Sequence, residues 1–305
     1  MTETNLPTET CVHSYDVVTI GNYTKDTIVT RTGTRHVDGG GYSYAAHAAK
    51  LRGISVGAVT RLAAEDRKST DALRAKGIDV HIFESPQSTL MCLEYPTDNV
   101  DERTLTVAAV AEPFTAELLR PFHARAIIVN GSARGEASLE VMQSLRKKGG
   151  KLCADVQGFV RIVTGDGRLK YERWPEQSAI LSLVDILKTD AVEAEFLTGE
   201  SDIHRAAAAL ADDGPSEIVL THQDGVLVLS DGRYFEAPFH PEELRGRSGR
   251  GDSCMGSYVS CRLDASAGEA TVWAAAVTSL KMEREGPVMC SREDVEALIA
   301  RRYPA

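Results

Sequence analysis

Short apolar runs alternate with helix-like segments along most of this chain, and this alternation limits the fold more than any other feature. Residues 15–21, YDVVTIG, are apolar and β-branched and end in glycine, which is typical of a buried strand. Residues 42–53, YSYAAHAAKLRG, have helical spacing and close on Gly53, a favoured residue at helix C-termini. The same succession returns further on, for example in ARAIIVNG followed by EASLEVMQSLRKKGG. It predicts the α/β class, with a mostly parallel sheet covered by helices on both faces.

Two stretches interrupt this alternation, near residues 22–38 and 88–110. They contain extended segments, and we expect them to form a small separate β-sheet, a lid. No linker or repeat divides the rest, so we predict a single domain over residues 15–305. Residues 1–14 are polar and lack the apolar core of a signal peptide, so we expect a disordered tail there.

The charge and cysteine content narrow the class of protein. The formal net charge is −10, which disfavours a nucleic-acid surface because phosphate backbones are held by clustered Lys and Arg. No run approaches the roughly 20 apolar residues of a membrane span. The six cysteines form no C-x-x-C pair, and no histidine stands at zinc-finger spacing. We therefore expect free thiols in a reducing compartment and a cytoplasmic protein.

Polar residues follow several of the predicted strands. In an open α/β sheet, ligands bind beyond the carboxyl ends of the strands, so these side chains are candidates for a site. The candidates are Asp26 after the first strand, Asp155 at the end of KLCAD with Gln157 and Arg161 just after it, Asp190 and Glu193 after DILKT, and Thr221 at the end of EIVLT.

A glycine-rich loop, GRSGRGD at 246–252, leads into a run with helical character. Backbone N–H groups at a helix N-terminus gather around a phosphate, and glycines let it come close. A carboxylate there would repel a phosphate, so Asp252 makes sense as a base beside it. The alternative is that Asp252 simply caps the helix. Three glycines at 39–41 open the first helix in the same way, either for a ligand or as a turn.

Standard nucleotide motifs are missing. The chain has no G-x-x-x-x-G-K-[ST] motif, and GGGYSY has Tyr44 where a dinucleotide fingerprint needs its third glycine. These observations exclude a P-loop protein and disfavour, without excluding, a dinucleotide-dependent oxidoreductase.

Together these motifs resemble the ribokinase-like (PfkB-type) carbohydrate kinase family over nearly the whole chain from about residue 15. GRSGRGD stands where that family has Asp-Thr-Thr-Gly-Ala-Gly-Asp, and GGGYSYAAHAAKLRG matches its Gly-Gly helix opening. Gly21 with Asp26 and DAVEAEFLTG match two further family stretches in the right order. The resemblance implies a ribokinase-like, Rossmann-type three-layer sandwich with a β lid, and a phosphotransferase that uses ATP and Mg²⁺.

The resemblance also implies a role for each candidate residue. It makes Asp252 the base that takes the proton from an attacking hydroxyl. Arg250 stands where the family usually has Ala, and it either adds positive charge to the anion hole or faces solvent. The full assignment is Asp252 as catalytic base; Gly249, Arg250 and Gly251 as anion hole; Asp26, Gly39, Gly40, Gly41 and Gln157 as substrate-binding residues; Asp190, Glu193, Thr221 and Gly225 on the ATP side; and Glu193 holding Mg²⁺ through water.

The substrate is a small-molecule polyol on this interpretation. DVQGFVR at 155–161 and GGGYSYAAHAAK look like the inositol kinase branch, which makes myo-inositol the first expectation. A hexose or nucleoside kinase of the same family, and a sugar- or nucleotide-binding module without turnover, remain alternatives. Gly246 replaces an aspartate tied to a monovalent-cation site, which argues against potassium activation. THQ at 221–223 replaces Thr-Leu-Gly and leaves nucleotide preference open, and the lid offers a surface for a homodimer.

Overall fold

Seven parallel strands form most of a nine-stranded central sheet in the order β15-β14-β13-β12-β9-β8-β1-β4-β5. The computed structural model describes residues 12–97 and 104–303. The first two strands of this order, β15 and β14, form a hairpin that continues the sheet in antiparallel fashion. The strands of this sheet are β1 (His13–Ile20), β4 (Val56–Leu62), β5 (Asp79–Glu84), β8 (Phe122–Val129), β9 (Lys151–Asp155), β12 (Ile186–Asp190), β13 (Glu217–Thr221), β14 (Gly225–Ser230) and β15 (Arg233–Pro238).

Helices cover both faces of this sheet, as the alternation of apolar strands predicts. Along β1, Val17 belongs to one hydrophobic core and Val18 to the other, because successive side chains of a strand point to opposite faces. Both residues are fully buried, which confirms the three-layer arrangement. The helices are α1 (Gly41–Lys50), α2 (Asp71–Ala75), α3 (Ala116–Leu119), α4 (Leu139–Arg146), α5 (Gln157–Val160), α6 (Gln177–Leu181), α7 (Ala191–Thr198), α8 (Ile203–Asp212), α9 (Arg250–Arg262), α10 (Ala267–Met282) and α11 (Arg292–Arg302), with a 3₁₀ segment at Ala64–Thr70.

The predicted lid is present as a separate four-stranded sheet in the order β3-β2-β6-β7. Its first and third strands in the chain, β2 and β6, pair in parallel, and the two outer pairs are antiparallel. Residues 98–103 of the second predicted lid stretch lie outside the described residues. The lid strands are β2 (Thr24–Thr30), β3 (Gly33–Gly39), β6 (Thr89–Glu94) and β7 (Thr104–Ala109).

Two details differ from the sequence-based expectation. The first strand begins at His13, not at residue 15, because His13 and Ser14 pair with Phe122 and His123 of β8. Most of the expected tail, residues 1–11, lies outside the described residues. A short hairpin of β10 (Arg161–Val163) and β11 (Leu169–Tyr171) was not expected. Within the described ranges, no helix is both long and apolar enough to cross a bilayer.

The parallel order brings several strand ends to one edge of the sheet. Asp190 at the end of β12 pairs in register with Thr221 at the end of β13, and Lys188 pairs with Asp155 of β9. Asn130 follows directly after β8. The polar residues that the sequence places after separate strands therefore meet beyond one edge.

Candidate active site

A cavity of about 340 Å³ lies between the lid sheet and the carboxyl ends of the central strands. Met91, Leu93 and Leu105 of the lid line one side of it, and the loop before α9 lines the other. Of the predicted site residues, the cavity is lined by Asp26, Gly40, Gly41, Gln157, Asp190, Thr221, Gly249, Arg250, Gly251 and Asp252.

Asp252 stands in the first turn of α9, but it does not cap the helix. The N-cap residue is Gly249, in the left-handed conformation with φ of 76°. The Oδ1 atom of Asp252 accepts hydrogen bonds from the side-chain amides of Gln157 (3.1 Å) and Asn130 (3.3 Å). A Cβ atom on Gly41 would fall 2.5 Å from the same oxygen, so only glycine lets α1 begin this close. The carboxylate therefore points into the cavity, where a base would have to be.

A chain of hydrogen bonds fixes the amide of Gln157. Arg161 donates from Nη1 to Oε1 of Gln157 (2.8 Å) and from Nη2 to Oε1 of Glu193 (3.0 Å). Because Arg161 can only donate, the oxygen of the Gln157 amide faces Arg161 and its NH₂ group faces Asp252. Gln157, predicted to bind substrate, also orients the candidate base.

A buried ion pair lies beneath the anion loop. The Nζ atom of Lys188 is 3.3 Å from Oδ2 of Asp155, and both side chains are almost fully buried. Lys188 also packs against Gly251 at the start of α9. Its ammonium is therefore close to where the helix N-terminus would hold an anion.

Burial and charge act in opposite directions on the carboxylates of this site. Burial raises the pKa of Asp252 above its usual range, whereas Lys188 and Arg161 lower it. Burial likewise raises the pKa of Asp155 to about 6, with Lys188 acting in the opposite direction. A carboxylate whose pKa is raised is, in its ionised form, a better proton acceptor than a free one.

Asp190 and Glu193 form a capping box at the start of α7. The side chain of Asp190 accepts from the backbone N–H of Glu193 (2.8 Å), and Glu193 accepts from that of Asp190 (3.0 Å). Glu193 is fully buried, and its second oxygen accepts from Arg161. Both oxygens of Glu193 are therefore engaged within the protein, and its expected role of holding Mg²⁺ through water stays a prediction. Among the residues the structure describes, no three His, Cys, Asp or Glu side chains converge to hold a metal ion.

Two other predicted residues lie outside the cavity lining. Gly39 ends lid strand β3, packed against the side chains of Thr24 and Asp26. Gly225 starts β14 and pairs with Pro238 of β15. Both glycines therefore shape the elements around the site without facing it.

The structure adds residues that the sequence reasoning missed. Asn130 follows the apolar run AIIV, and the strand-end rule that selected Asp155 would have selected it too. Lys188 is a lysine inside a buried strand, which is rare unless the charge is paired. Tyr44, Ser132 and Arg247 also line the cavity.

A carboxylate at a helix N-terminus, a glycine loop and several cationic side chains around one cavity are the parts of an enzyme that transfers a phosphoryl group to a hydroxyl. This class is narrowed by the family comparison. The chain belongs to the pfkB family of carbohydrate kinases, whose model matches residues 11–294.

Known proteins of this class cover most of the chain. A pyrophosphate-dependent kinase in the ribokinase family, solved with a pyrophosphate analog and myo-inositol, is 34% identical, with 92% of this chain and 99% of that chain covered and a TM-score of 0.85. A cytidine kinase of Thermococcus kodakarensis is 25% identical over 257 residues, 80% of this chain and 87% of its own. The ribokinase of Arabidopsis thaliana, solved with ribose and ATP, shares the fold, with 19% identity, 94% and 99% of the two chains covered and a TM-score of 0.74.

Proposed function

We propose that this kinase phosphorylates a hydroxyl group of a cyclitol, with myo-inositol as its preferred acceptor. The observation that carries the proposal is the lining of the cavity near Asp252. Thr24, Asp26, Ser132 and Gln157 supply hydroxyl-binding groups there, and among the described lining residues Tyr44 is the only aromatic one. A ring that bears only hydroxyls suits the polar part of this lining, whereas a nucleoside base would have to lie against the apolar lid residues Met91, Leu93 and Leu105.

The chemistry follows from the position of Asp252. The acceptor oxygen attacks the terminal phosphorus of the donor while the P–O bond to the leaving phosphate breaks. Asp252 takes the hydroxyl proton as the new P–O bond forms. The backbone N–H groups at the start of α9 and the charge of Arg250 stabilise the phosphoryl oxygens.

We further propose that pyrophosphate, in place of the expected ATP, is the donor. Four cationic side chains line the cavity, namely Arg161, Lys188, Arg247 and Arg250. Dense positive charge suits a compact donor made only of phosphate, whereas ATP also brings a base and a ribose that need a slot of their own. The pyrophosphate-dependent relative supports this donor, and ATP remains the alternative outcome.

Magnesium fits this site through one residue. The carboxylate of Asp190 lines the cavity, and only its Oδ1 atom is engaged by the capping bond. A hydrated Mg²⁺ ion, which prefers few carboxylates and many waters, could be held there and would neutralise charge on the donor.

A substrate matrix tests the proposed function. Initial rates are measured for myo-inositol, ribose, fructose, adenosine and cytidine, each with pyrophosphate and with ATP. We expect kcat/KM to be highest for myo-inositol, because an analogue that lacks a bound hydroxyl leaves buried polar groups unpaired. If a nucleoside or furanose is the better acceptor, the cyclitol assignment fails. If ATP is the better donor, the donor assignment alone fails.

Arg250 provides a separate test of the donor. Replacing Arg250 with Ala, the usual family residue, should lower kcat/KM for pyrophosphate by about 10- to 100-fold, since a charge-assisted hydrogen bond contributes about 1.5–3 kcal/mol. The KM for the acceptor should stay near its original value. Arg205→Ala, which changes an exposed arginine that pairs with Glu200, is the control. An unchanged rate with pyrophosphate would place Arg250 outside the donor site.

A further inference from the structure

Lys281, near the end of α10, is a buried lysine that the proposed mechanism does not use. Its side chain is fully buried, and Nζ donates a hydrogen bond to the carbonyl oxygen of Gly246 (3.1 Å). The ammonium also lies 5.7 Å from the centre of the Tyr44 ring. It forms no ion pair with any side chain in the described part of the chain.

An ammonium in such a place is costly. Taking a charge out of water is unfavourable unless it is paired or strongly hydrogen-bonded, so lysines are rarely fully buried. Backbone carbonyls and an aromatic face compensate only part of this cost. The hydrogen bond from Lys281 to the carbonyl of Gly246 therefore indicates what the buried ammonium does.

Gly246 is the first residue of the glycine loop that carries the proposed anion hole. The backbone N–H groups of Arg245 and Gly246 both donate to the carbonyl of Met282, at 2.9 and 3.1 Å. Together with the Lys281 bond, three hydrogen bonds tie the start of the loop to the end of α10. The loop runs from this anchor to Asp252 within six residues.

Tyr44 connects the same lysine to the far end of the loop. The Tyr44 ring packs so closely on Gly249 that any Cβ atom there would collide with it. Gly249 is the N-cap of α9, and the residues that follow it, Arg250 and Gly251, line the cavity. Lys281 thus contacts the start of the loop directly and its N-cap through one ring.

We propose that Lys281 is a positioning residue, a built-in cation that holds the 246–252 loop in the conformation required for phosphoryl transfer. The inference rests on the proposed role of this loop. It assigns Lys281 no contact with the substrate. Loss of the ammonium should therefore lower kcat, with little effect on the KM of the acceptor.

The charges around Lys281 define a pH test on the unmodified enzyme. Burial lowers the pKa of Lys281 to about 8, while Asp252 and Glu285 act to raise it and Arg250 to lower it. Because the ammonium is charged below its pKa, its charge is lost as pH rises through about 8. The rate constant kcat should fall over that window. In Lys281→Arg, whose guanidinium stays charged, the fall should be absent.

Substitutions separate the charge from packing. Lys281→Met keeps an unbranched side chain but removes the positive charge. Lys281→Ala also removes the side chain and leaves space for a small cation from solution. Lys148→Met is the matched control, because Lys148 donates to the carbonyl of Arg120 (2.8 Å) on the exposed side of the molecule. Steady-state rates are measured with the best donor and acceptor found in the substrate matrix, so the result does not depend on which pair that is.

We expect kcat of Lys281→Met to fall about 10- to 100-fold, the loss typical of a small displacement of catalytic groups. Ammonium or potassium chloride should restore part of the lost kcat of Lys281→Ala, whereas sodium chloride at the same ionic strength should not. The kcat of Lys281→Met and of the parent should not respond to any of these salts. A parental kcat in Lys281→Met would overturn the proposal. So would a loss in Lys281→Ala that neither cation reverses. If Lys281→Met does not fold, the alkaline fall of kcat in the parent and its absence in Lys281→Arg decide the question.

Discussion

The carboxylate of Asp252 accepts hydrogen bonds from two neutral amides, and this gives each amide a measurable effect. A donated hydrogen bond stabilises the charged form, and the bond from Asn130 lowers the pKa of Asp252. Replacing Asn130 with Ala should therefore raise that pKa further. A base works only when it is deprotonated, so the acid limb of the pH–rate profile should move to higher pH.

The measurement is kcat/KM for the acceptor against pH, in the parent and in Asn130→Ala. Thermal unfolding of both proteins checks that the variant keeps its fold. An acid limb that stays in place would mean that this hydrogen bond does not act on the titrating base.

At the level of single residues, the sequence identified what a local motif can reveal. Asp252 and Gly41 belong to short glycine-rich motifs that can be recognised in the sequence, and both residues line the cavity. Lys188 and Asn130 have no such motif, because their place depends on which strands are neighbours and in which register. Glu193 has a structural role that the sequence analysis did not assign, because it completes a capping box with Asp190 at the start of α7.

Among the elements, the lid strand β2 carries the residues that we propose bind the acceptor. Asp26 lies in β2 and lines the cavity with Thr24. Replacing Asp26 with Ala should raise the KM of the acceptor far more than that of the donor, because it removes hydroxyl contacts on one side only. The expected loss is about 1.5–3 kcal/mol, typical of a hydrogen bond to a charged group.

Separate titrations of donor and acceptor measure this effect. Lys25→Ala, on the same strand but exposed and paired with Asp66, is the control for a general disturbance of the lid. Equal increases in the KM of both substrates would contradict the assignment of Asp26 to the acceptor.

Helix α7 combines a structural and a proposed functional role in one residue. Asp190→Ala removes half of a capping box and should cost about 0.5–2 kcal/mol in the free energy of unfolding. Ser266→Ala removes the equivalent cap from α10, away from the cavity, and should cost a similar amount. Urea unfolding gives both values. Only Asp190→Ala should also lower activity, and equal activities would make Asp190 a cap alone.

The helices and strands were largely predictable, because glycines at helix C-termini and apolar runs in strands are local signals in the sequence. The lid strands followed from the same patterns, but the parallel pairing of β2 with β6 did not, since it joins residues 65 positions apart in the sequence, such as Thr24 and Thr89. The hairpin of β10 and β11 is too short for a periodic pattern to show.

At the scale of the whole molecule, two hydrophobic cores pack on opposite faces of the central sheet. The candidate site lies at the carboxyl ends of its strands. The α9 helix carries Asp252 at its start and contributes Met255 and Tyr258 to one of these cores. The proposed base is therefore fixed by a buried helix, and the lid residues Thr24 and Asp26 line the same cavity. Pairing of the lid with a second copy remains a prediction, which sedimentation velocity can test.

The most direct test of Asp252 as the catalytic base is the rate of single-turnover phosphoryl transfer by Asp252→Asn. The amide is nearly isosteric but cannot accept the proton, so the variant should fold, bind donor and acceptor, and lose about 10²–10⁴-fold in rate. Asp264→Asn, which changes an exposed carboxylate beyond the other end of α9, should keep the parental rate. Turnover at the parental rate in Asp252→Asn would contradict the central claim, because the carboxylate would then not be the base.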